Sequence, residues 1–241
     1  MMRLDLYLFE KGLAHSRTFA KTLIADGKVA VEGKIVIKPA FEVDDNSAVS
    51  VENEDFYVSR GAYKLEGAAR EFDFEIAGRK CIDVGASSGG FTDYLLKGGA
   101  EHVIAVDSGS GQLAECLRDD DRVTVFENYN ARYMKREDFE YSPELAVMDV
   151  SFISATYIIP ALYNVLTGGA DFICLIKPQF EVGRAFVGKG GIVKDEKARR
   201  SAVEKVTSFA ESVGFITKGV IKSPIEGGDG NVEYLAHFFK T

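Results

Sequence analysis

The sequence predicts an α/β fold: a doubly wound, mostly parallel sheet with an antiparallel C-terminal hairpin, preceded by a small α+β domain. Three observations carry this. Short apolar runs at 80–84, 102–107, 122–127, 144–149 and 171–176 alternate with helical patterns near 90–97, 111–118, 153–166 and 195–213, as crossover-linked parallel strands do. The last two apolar segments, FITKGVIKSP and VEYLAHFFK, have no helix between them and so pair antiparallel. Before residue 60 the pattern differs: two short helices, then β-branched runs about a turn.

In chain order, RLDLYLFEKGL is an amphipathic helix stopped by Gly12, and Ser16 caps a second helix, RTFAKTLIADGK, that ends at Gly27. β-Branched residues flank Glu32-Gly33 in VAVEGKIVIKPAFEV, a hairpin signal. DDNSAVSVENED is polar and turn-rich with one short strand, and marks a domain edge. The expected organisation is a small domain at 1–58, a linker with a first helix at 59–79, and the large domain at 80–241.

With 46% hydrophobic and 27% charged residues among 241, the chain reads as an ordinary globular protein. Cys81, Cys116 and Cys174 are odd in number and lack CxxC spacing, so they read as reduced, mostly buried thiols of a cytoplasmic protein. His15, His102 and His237 lie far apart in sequence, and no metal site is expected. Asp5, Glu10 and Lys11 fall where a secretory signal needs an apolar core. No run approaches the ~18 apolar residues of a membrane span. The net charge is −8, yet residues 1–38 hold seven basic residues against four acidic ones, a local excess that attracts phosphate.

The stretch KCIDVGASSGGFTDYLL runs from a strand through a glycine-rich turn into a helix. In a doubly wound sheet such a turn faces the ligand crevice. A phosphate loop needs a Lys after its last glycine, where Phe91 stands; a dinucleotide loop needs glycine at Ser87, whose side chain crowds a pyrophosphate. S-adenosylmethionine, which carries no diphosphate, suits Gly85, Ser87, Gly89, Gly90 and Phe91, with Asp107 at the next strand end accepting ribose hydroxyls. A tight turn followed by an unrelated acid is the plainer alternative. A second cluster, GRAFVGKGG, has Gly190 in place of the Ser or Thr of a phosphate loop. It reads as a mobile basic loop (Arg184, Lys189, Lys194) over the site, or equally as a solvated surface loop.

Four polar residues fall where core residues would be easier: Asp149 and Lys177 close strands, Glu233 opens the last one, and Lys64 lies just before the large domain. Two ammonium groups and two carboxylates can neutralise one another in a cleft. This set suits methyl transfer to a sugar hydroxyl. Lys177 would accept the hydroxyl proton or orient its oxygen, Asp149 and Glu233 would hold Lys177, and Lys64 would offset their charge.

Those residues bring a family into view. RLDLYLFEKGLAHSRTFAKTLIADGKVAVEGKIVIKP resembles the small RNA-binding domain named after ribosomal protein S-four. YVSRGAYKL, DVGASSGGFTD, LAVMDVSFIS, LIKPQFEVGR and GNVEYL together resemble the TlyA family, FtsJ-like methyltransferases often labelled hemolysins. The resemblance spans essentially the whole chain, in order. It implies a Rossmann-like methyltransferase fold, the superfamily tetrad at Lys64, Asp149, Lys177 and Glu233, and S-adenosylmethionine at Gly85–Phe91 and Asp107. It further implies 2′-O-methylation of a cytidine in ribosomal RNA, with ribosomal subunits as partners and Arg3, Lys11, Arg17 and Lys21 contacting RNA. The chain departs from the family pattern at Ser108 and Ser110, and mildly at Ser88.

Three rivals stand beside this reading, the first from another class and the second closer to it. A membrane-active hemolysin would need apolar segments the chain lacks. Base methylation would need an Asn/Asp-Pro-Pro-aromatic motif or a cysteine nucleophile near the site. A ribosome-binding assembly factor with a vestigial site is left open by Ser108 and Ser110.

Overall fold

The computed structural model describes residues 2–11, 13–14, 17–44, 47–51 and 57–241, which fall into two compact units, Met1–Phe56 and Tyr57–Thr241. The expected stop at Gly12, the cap at Ser16 and parts of the polar domain edge lie outside the described residues.

The first unit contains β1 (Met2–Arg3), α1 (Leu4–Glu10), α2 (Arg17–Ala25), β2 (Val29–Val31), β3 (Lys34–Ile35), β4 (Glu42–Val43) and β5 (Val49–Val51). Glu32 and Gly33 both have positive φ, 50° and 73°, the pair that a two-residue hairpin turn requires, and they join β2 to β3. β2 also pairs with β5, and β1 with β4. Leu4, Leu8, Ala20, Ile24, Val29 and Val43 bury themselves between the helices and these strands.

The second unit opens with α3 (Ala62–Glu71) and continues β6 (Lys80–Val84), α4 (Gly90–Lys97), β7 (His102–Val106), α5 (Glu115–Arg118), β8 (Val123–Phe126), β9 (Leu145–Met148), α6 (Ile159–Val165), β10 (Asp171–Ile176), α7 (Pro178–Glu181), α8 (Glu196–Val213), β11 (Phe215–Lys222) and β12 (Tyr234–Lys240). Seven strands form one sheet in the order β11-β12-β10-β9-β6-β7-β8. β6 to β10 run parallel, and β12 lies antiparallel between β10 and β11. Both faces are covered, which is why these strands read as near-continuous apolar runs. Ile82, Ile104, Met148 and Phe172 pack with α6 and α8 on one face. Cys81, Val103, Val147 and Leu175 pack with α3 and α4 on the other.

The chain passes from β6 outward to β7 and β8, then returns to the opposite side of β6 as β9. That reversal opens a crevice beyond the carboxyl ends of β6, β7 and β9.

Two expected helices are shorter than the sequence suggests. Residues 111–114 are not helical: Gly111 has φ +65° and Ala114 ψ 139°, both outside the helical region, and the Gln112 N–H donates to the Glu127 carboxylate at 3.3 Å. The segment 153–166 is a 3₁₀ turn at Ala155–Tyr157 followed by α6, whose Pro160 lacks the N–H to extend a helix backwards. Cys81 and Cys174 are buried, and burial pushes the Cys81 thiol up to about 12. Cys116 is exposed on α5, contrary to its reading as a mostly buried thiol.

Asp83 is a carboxyl on the α4 face of β6, fully buried. Thr92 donates a 2.7 Å hydrogen bond to its Oδ2, and among the described residues Oδ1 has no hydrogen-bond partner. Burial pushes its pKa up to about 7. The folded protein therefore holds this proton more tightly than the unfolded chain. That contributes stability below the ordinary value of 3.8, which is lost as pH rises to about 7. Asp83→Asn should gain stability relative to the unsubstituted protein across that window. Urea unfolding at a series of pH values would measure this, and a difference that stays flat with pH would count against it.

Candidate active site

Side-chain parity builds the polar cluster. Val147, Leu175 and Leu235 face the α3 side of the sheet. Two residues on in β9 and β10 lie Asp149 and Lys177, and two residues before Leu235 lies Glu233, so the pleat sends all three to that same side. Tyr234 opposes Ile176 in the ladder, which puts Glu233 and Lys177 one step beyond it on neighbouring strands. Lys64, in the first turn of α3, comes down onto them from the covering helix.

The result is a row of alternating charges. Lys177 Nζ lies 2.5 Å from Asp149 Oδ1 and donates a 2.7 Å hydrogen bond to Ser151 Oγ. Asp149 Oδ2 lies 3.8 Å from Lys64 Nζ, which in turn donates to Glu233 Oε2 at 2.7 Å. The Lys64 and Glu233 side chains are 10% and 2% exposed, so this end of the row is nearly closed to water. Its net charge is zero, which makes the burial sustainable. The expectation that Glu233 holds Lys177 is corrected: Glu233 binds Lys64, because Lys177 is drawn toward Asp149 and Ser151 beyond β9. Gly227 makes room for this carboxylate; a Cβ there would stand 2.5 Å from Glu233 Oε1.

Beside the row is a cavity of about 540 Å³. Gly85, Ser87, Asp107 and Asp149 line it, together with Ser108, Gln112, Asn130, Ser151 and Phe152 among others. Asp107 fastens the turn, accepting the N–H of Ser87 at 2.8 Å and of Gly109 at 2.7 Å on its two oxygens. Each carboxylate oxygen keeps a lone pair for another donor. Two of the turn's glycines are explained by the protein itself. A Cβ on Gly85, at φ +85°, would lie 2.4 Å from the Asp149 carbonyl oxygen, and one on Gly90 would lie 2.3 Å from Ser59 Oγ.

The expected site residues therefore divide. Gly85, Ser87, Asp107 and Asp149 meet at the cavity, and Lys64, Lys177 and Glu233 adjoin it through Asp149. Gly89, Gly90 and Phe91 are buried beneath the turn, Phe91 within the α3–α4 core. Ser108 reaches the cavity wall. Arg184, Lys189 and Lys194 are exposed, and their loop is held at its C-terminal end. Asn231 accepts the N–H of Val193 and donates to the Gly191 carbonyl. In the first unit Arg3, Lys11, Arg17 and Lys21 are all exposed, with Lys21 one turn beyond Arg17 on α2.

Sequence reasoning missed Ser151 and Phe152. Ser151 follows Asp149 by two residues, a spacing that could have suggested a shared site. Phe152 is 92% exposed with φ +63°, a conformation no local motif announces.

The model of FtsJ-like methyltransferases matches residues 57–240, and that of the S4 domain matches residues 2–49. Over 235 residues the chain is 47% identical to the 16S/23S rRNA (cytidine-2'-O)-methyltransferase TlyA of Mycobacterium tuberculosis, covering 97% of this chain and 88% of that protein. This chain belongs to the TlyA family of FtsJ-like methyltransferases. Hemolysin A of Brachyspira hyodysenteriae is 42% identical over 98% of this chain and 99% of its own length. A solved structure from Streptococcus thermophilus that carries the hemolysin label has a TM-score of 0.76 at 44% identity, covering 99% of this chain and 88% of that one. The larger unit has the fold of S-adenosylmethionine-dependent methyltransferases, and an S4 domain precedes it. Among the described residues no helix is long and apolar enough to cross a membrane.

Gly85 joins the cavity turn to the charged row, since its missing side chain lets the Asp149 backbone approach. Gly85→Ala should destabilise the protein by more than the ~1–2 kcal/mol of placing an L side chain in left-handed backbone, because the Cβ also meets a carbonyl oxygen. Thermal unfolding would measure the loss, and an unchanged Tm would show that the turn relaxes freely.

Proposed function

We propose that this chain transfers a methyl group from S-adenosylmethionine to the ribose 2′-hydroxyl of a cytidine in ribosomal RNA. It does so in the cytoplasm, with ribosomal subunits as partners. The unit Met1–Phe56 docks on RNA through Arg3, Lys11, Arg17 and Lys21, and the unit Tyr57–Thr241 carries the chemistry. One observation carries the reading: the neutral row Lys177–Asp149–Lys64–Glu233 meets, at Asp149, the wall of a cavity of about 540 Å³.

The cavity fits S-adenosylmethionine in size and donor set. Asp107 has free lone pairs for the two ribose hydroxyls, and the side chains of Ala131 and Ile158 offer apolar wall to an adenine. When bound, S-adenosylmethionine supplies a methyl group already activated on a sulfonium. The residues then have two tasks: to hold the acceptor oxygen in line with that methyl, and to manage its proton.

Lys177 performs both. Asp149 and Ser151 fix its ammonium group beside the cavity, where it can hold a 2′-oxygen by hydrogen bonding or, when neutral, accept its proton. Lys64 and Glu233 act at one remove. By engaging the far oxygen of Asp149, Lys64 leaves the near one aimed at Lys177, and Glu233 holds Lys64 in place. Phe152 presents an exposed ring at the cavity, with Phe180 at 5.3 Å, and offers a face to the acceptor base.

Isothermal calorimetry with S-adenosylmethionine and Asp107→Ala tests the cofactor assignment. Affinity should fall by roughly 1–3 kcal/mol, the scale of lost charged hydrogen bonds; binding of ATP or NAD in place of the sulfonium compound would overturn it.

Lys177→Ala should keep cofactor affinity and lose at least the ~10²-fold in rate typical of a positioned acid–base group. Lys177→Arg should fail too, because a guanidinium stays protonated. RNA bearing 2′-deoxyribose at the target should bind and accept no methyl. Transfer to that substrate would move the reaction to the base.

A further inference from the structure

The acidic residue at position 5 stands among the basic residues of the S4 domain and is fully buried. It lies in the first turn of α1, two residues after Arg3. Arg3 grips it with two parallel bonds, Nε to Oδ1 at 2.9 Å and Nη2 to Oδ2 at 3.2 Å. Arg17, from the start of α2, donates Nη2 to the same Oδ2 at 3.3 Å. One carboxylate thus carries two guanidinium groups from separate elements. Both side chains remain about half exposed, at 49% and 50%. Each guanidinium has five N–H donors, and Arg17 spends one of them on Asp5 and Arg3 two. The remaining donors form a pair of planar forks held to one carboxylate, suited to phosphate oxygens.

We propose that Asp5 is a positioning residue for RNA binding: it holds Arg3 and Arg17 side by side as a two-pronged phosphate clamp. The inference rests on the reading that this unit docks on ribosomal RNA, and it adds why an acid belongs on that face. The carboxylate touches no RNA. It acts by removing, before RNA arrives, rotamer freedom that two long side chains would otherwise lose on binding. The arginines hold the Asp5 carboxyl below the usual carboxylate range, chiefly through the Arg3 hydrogen bonds, so the clamp stays charged at neutral pH.

Simple electrostatics and the clamp predict opposite signs for one substitution. Asp5→Asn removes a negative charge from a phosphate-binding face, and by charge alone affinity should rise. The clamp predicts a fall of roughly tenfold, the scale of re-ordering two rotamer-rich side chains. The experiment measures binding of the full-length protein to total ribosomal RNA by filter retention across a salt series, with circular dichroism melting to monitor the fold. Arg3→Ala and Arg17→Ala test the underlying reading: each should weaken binding and flatten the salt slope by about one. If neither does, the RNA role of this face fails and takes the clamp with it. If both do but Asp5→Asn binds as tightly as the unsubstituted protein or more so, the clamp alone is overturned.

Two further measurements guard against an unfolded Asn variant. Arg3→Lys keeps the charge and a partner for Asp5 but replaces the paired bonds by one point contact. It should also weaken binding, and equal affinity would overturn the clamp. In an Arg3→Ala/Arg17→Ala background, where no clamp is left to lose, Asp5→Asn should cause no further loss of affinity. A residual loss there would assign Asp5 a merely structural role.

Discussion

The catalytic end of this molecule depends on one electrostatic arrangement, a row of four alternating charges laid across three strand ends and a helix. Any one of these groups, left alone at its level of burial, would carry a heavy desolvation cost. Together they are neutral, and each neighbour supplies the counter-charge the next requires. The row also has direction. Its Glu233 end is closed to water, and its Lys177 end adjoins the cavity through Asp149 and Ser151. A polar group that must meet substrate is thereby held by groups that need not.

The antiparallel hairpin at the C-terminus makes this row possible. A purely parallel sheet would end at β10, and Lys177 would close an edge strand. Inserting β12 antiparallel beside β10 brings the beginning of a strand next to the end of one, so Glu233 arrives at the crevice from the opposite chain direction. The segment before β12 then has a second duty. Gly227 gives way to the Glu233 carboxylate, and Asn231 ties down the basic loop at Gly191 and Val193.

Much of this was legible in the sequence because it rests on local signals. Apolar runs marked every large-domain strand to within a residue or two, and the missing helix between the last two marked the hairpin. The four charged residues stood out because strand ends seldom need them. Their pairing was not legible. Which carboxylate meets which ammonium depends on a few ångströms of lean between neighbouring strands, and Lys177 leans toward Asp149 rather than Glu233. The glycines were read as room for a ligand, yet Gly85 and Gly90 make room for Asp149 and Ser59, contacts across long stretches of chain. The truncated α5 turns on backbone geometry that no residue type announces: Gly111 stands at φ +65° and Ala114 at ψ 139°, both outside the helical region.

The parity of the pleat, which sends Asp149, Lys177 and Glu233 to one face, also sets a grammar for how this sequence can change over evolutionary time. Lengthening or shortening β9, β10 or β12 by a single residue would turn its charged end to the α6–α8 side, into apolar core, while a change of two would restore the face. Insertions should therefore collect in the connecting loops, and the strands that end in these charges should hold constant length even where their apolar residues exchange freely. The row is written into the spacing of the chain as much as into its letters.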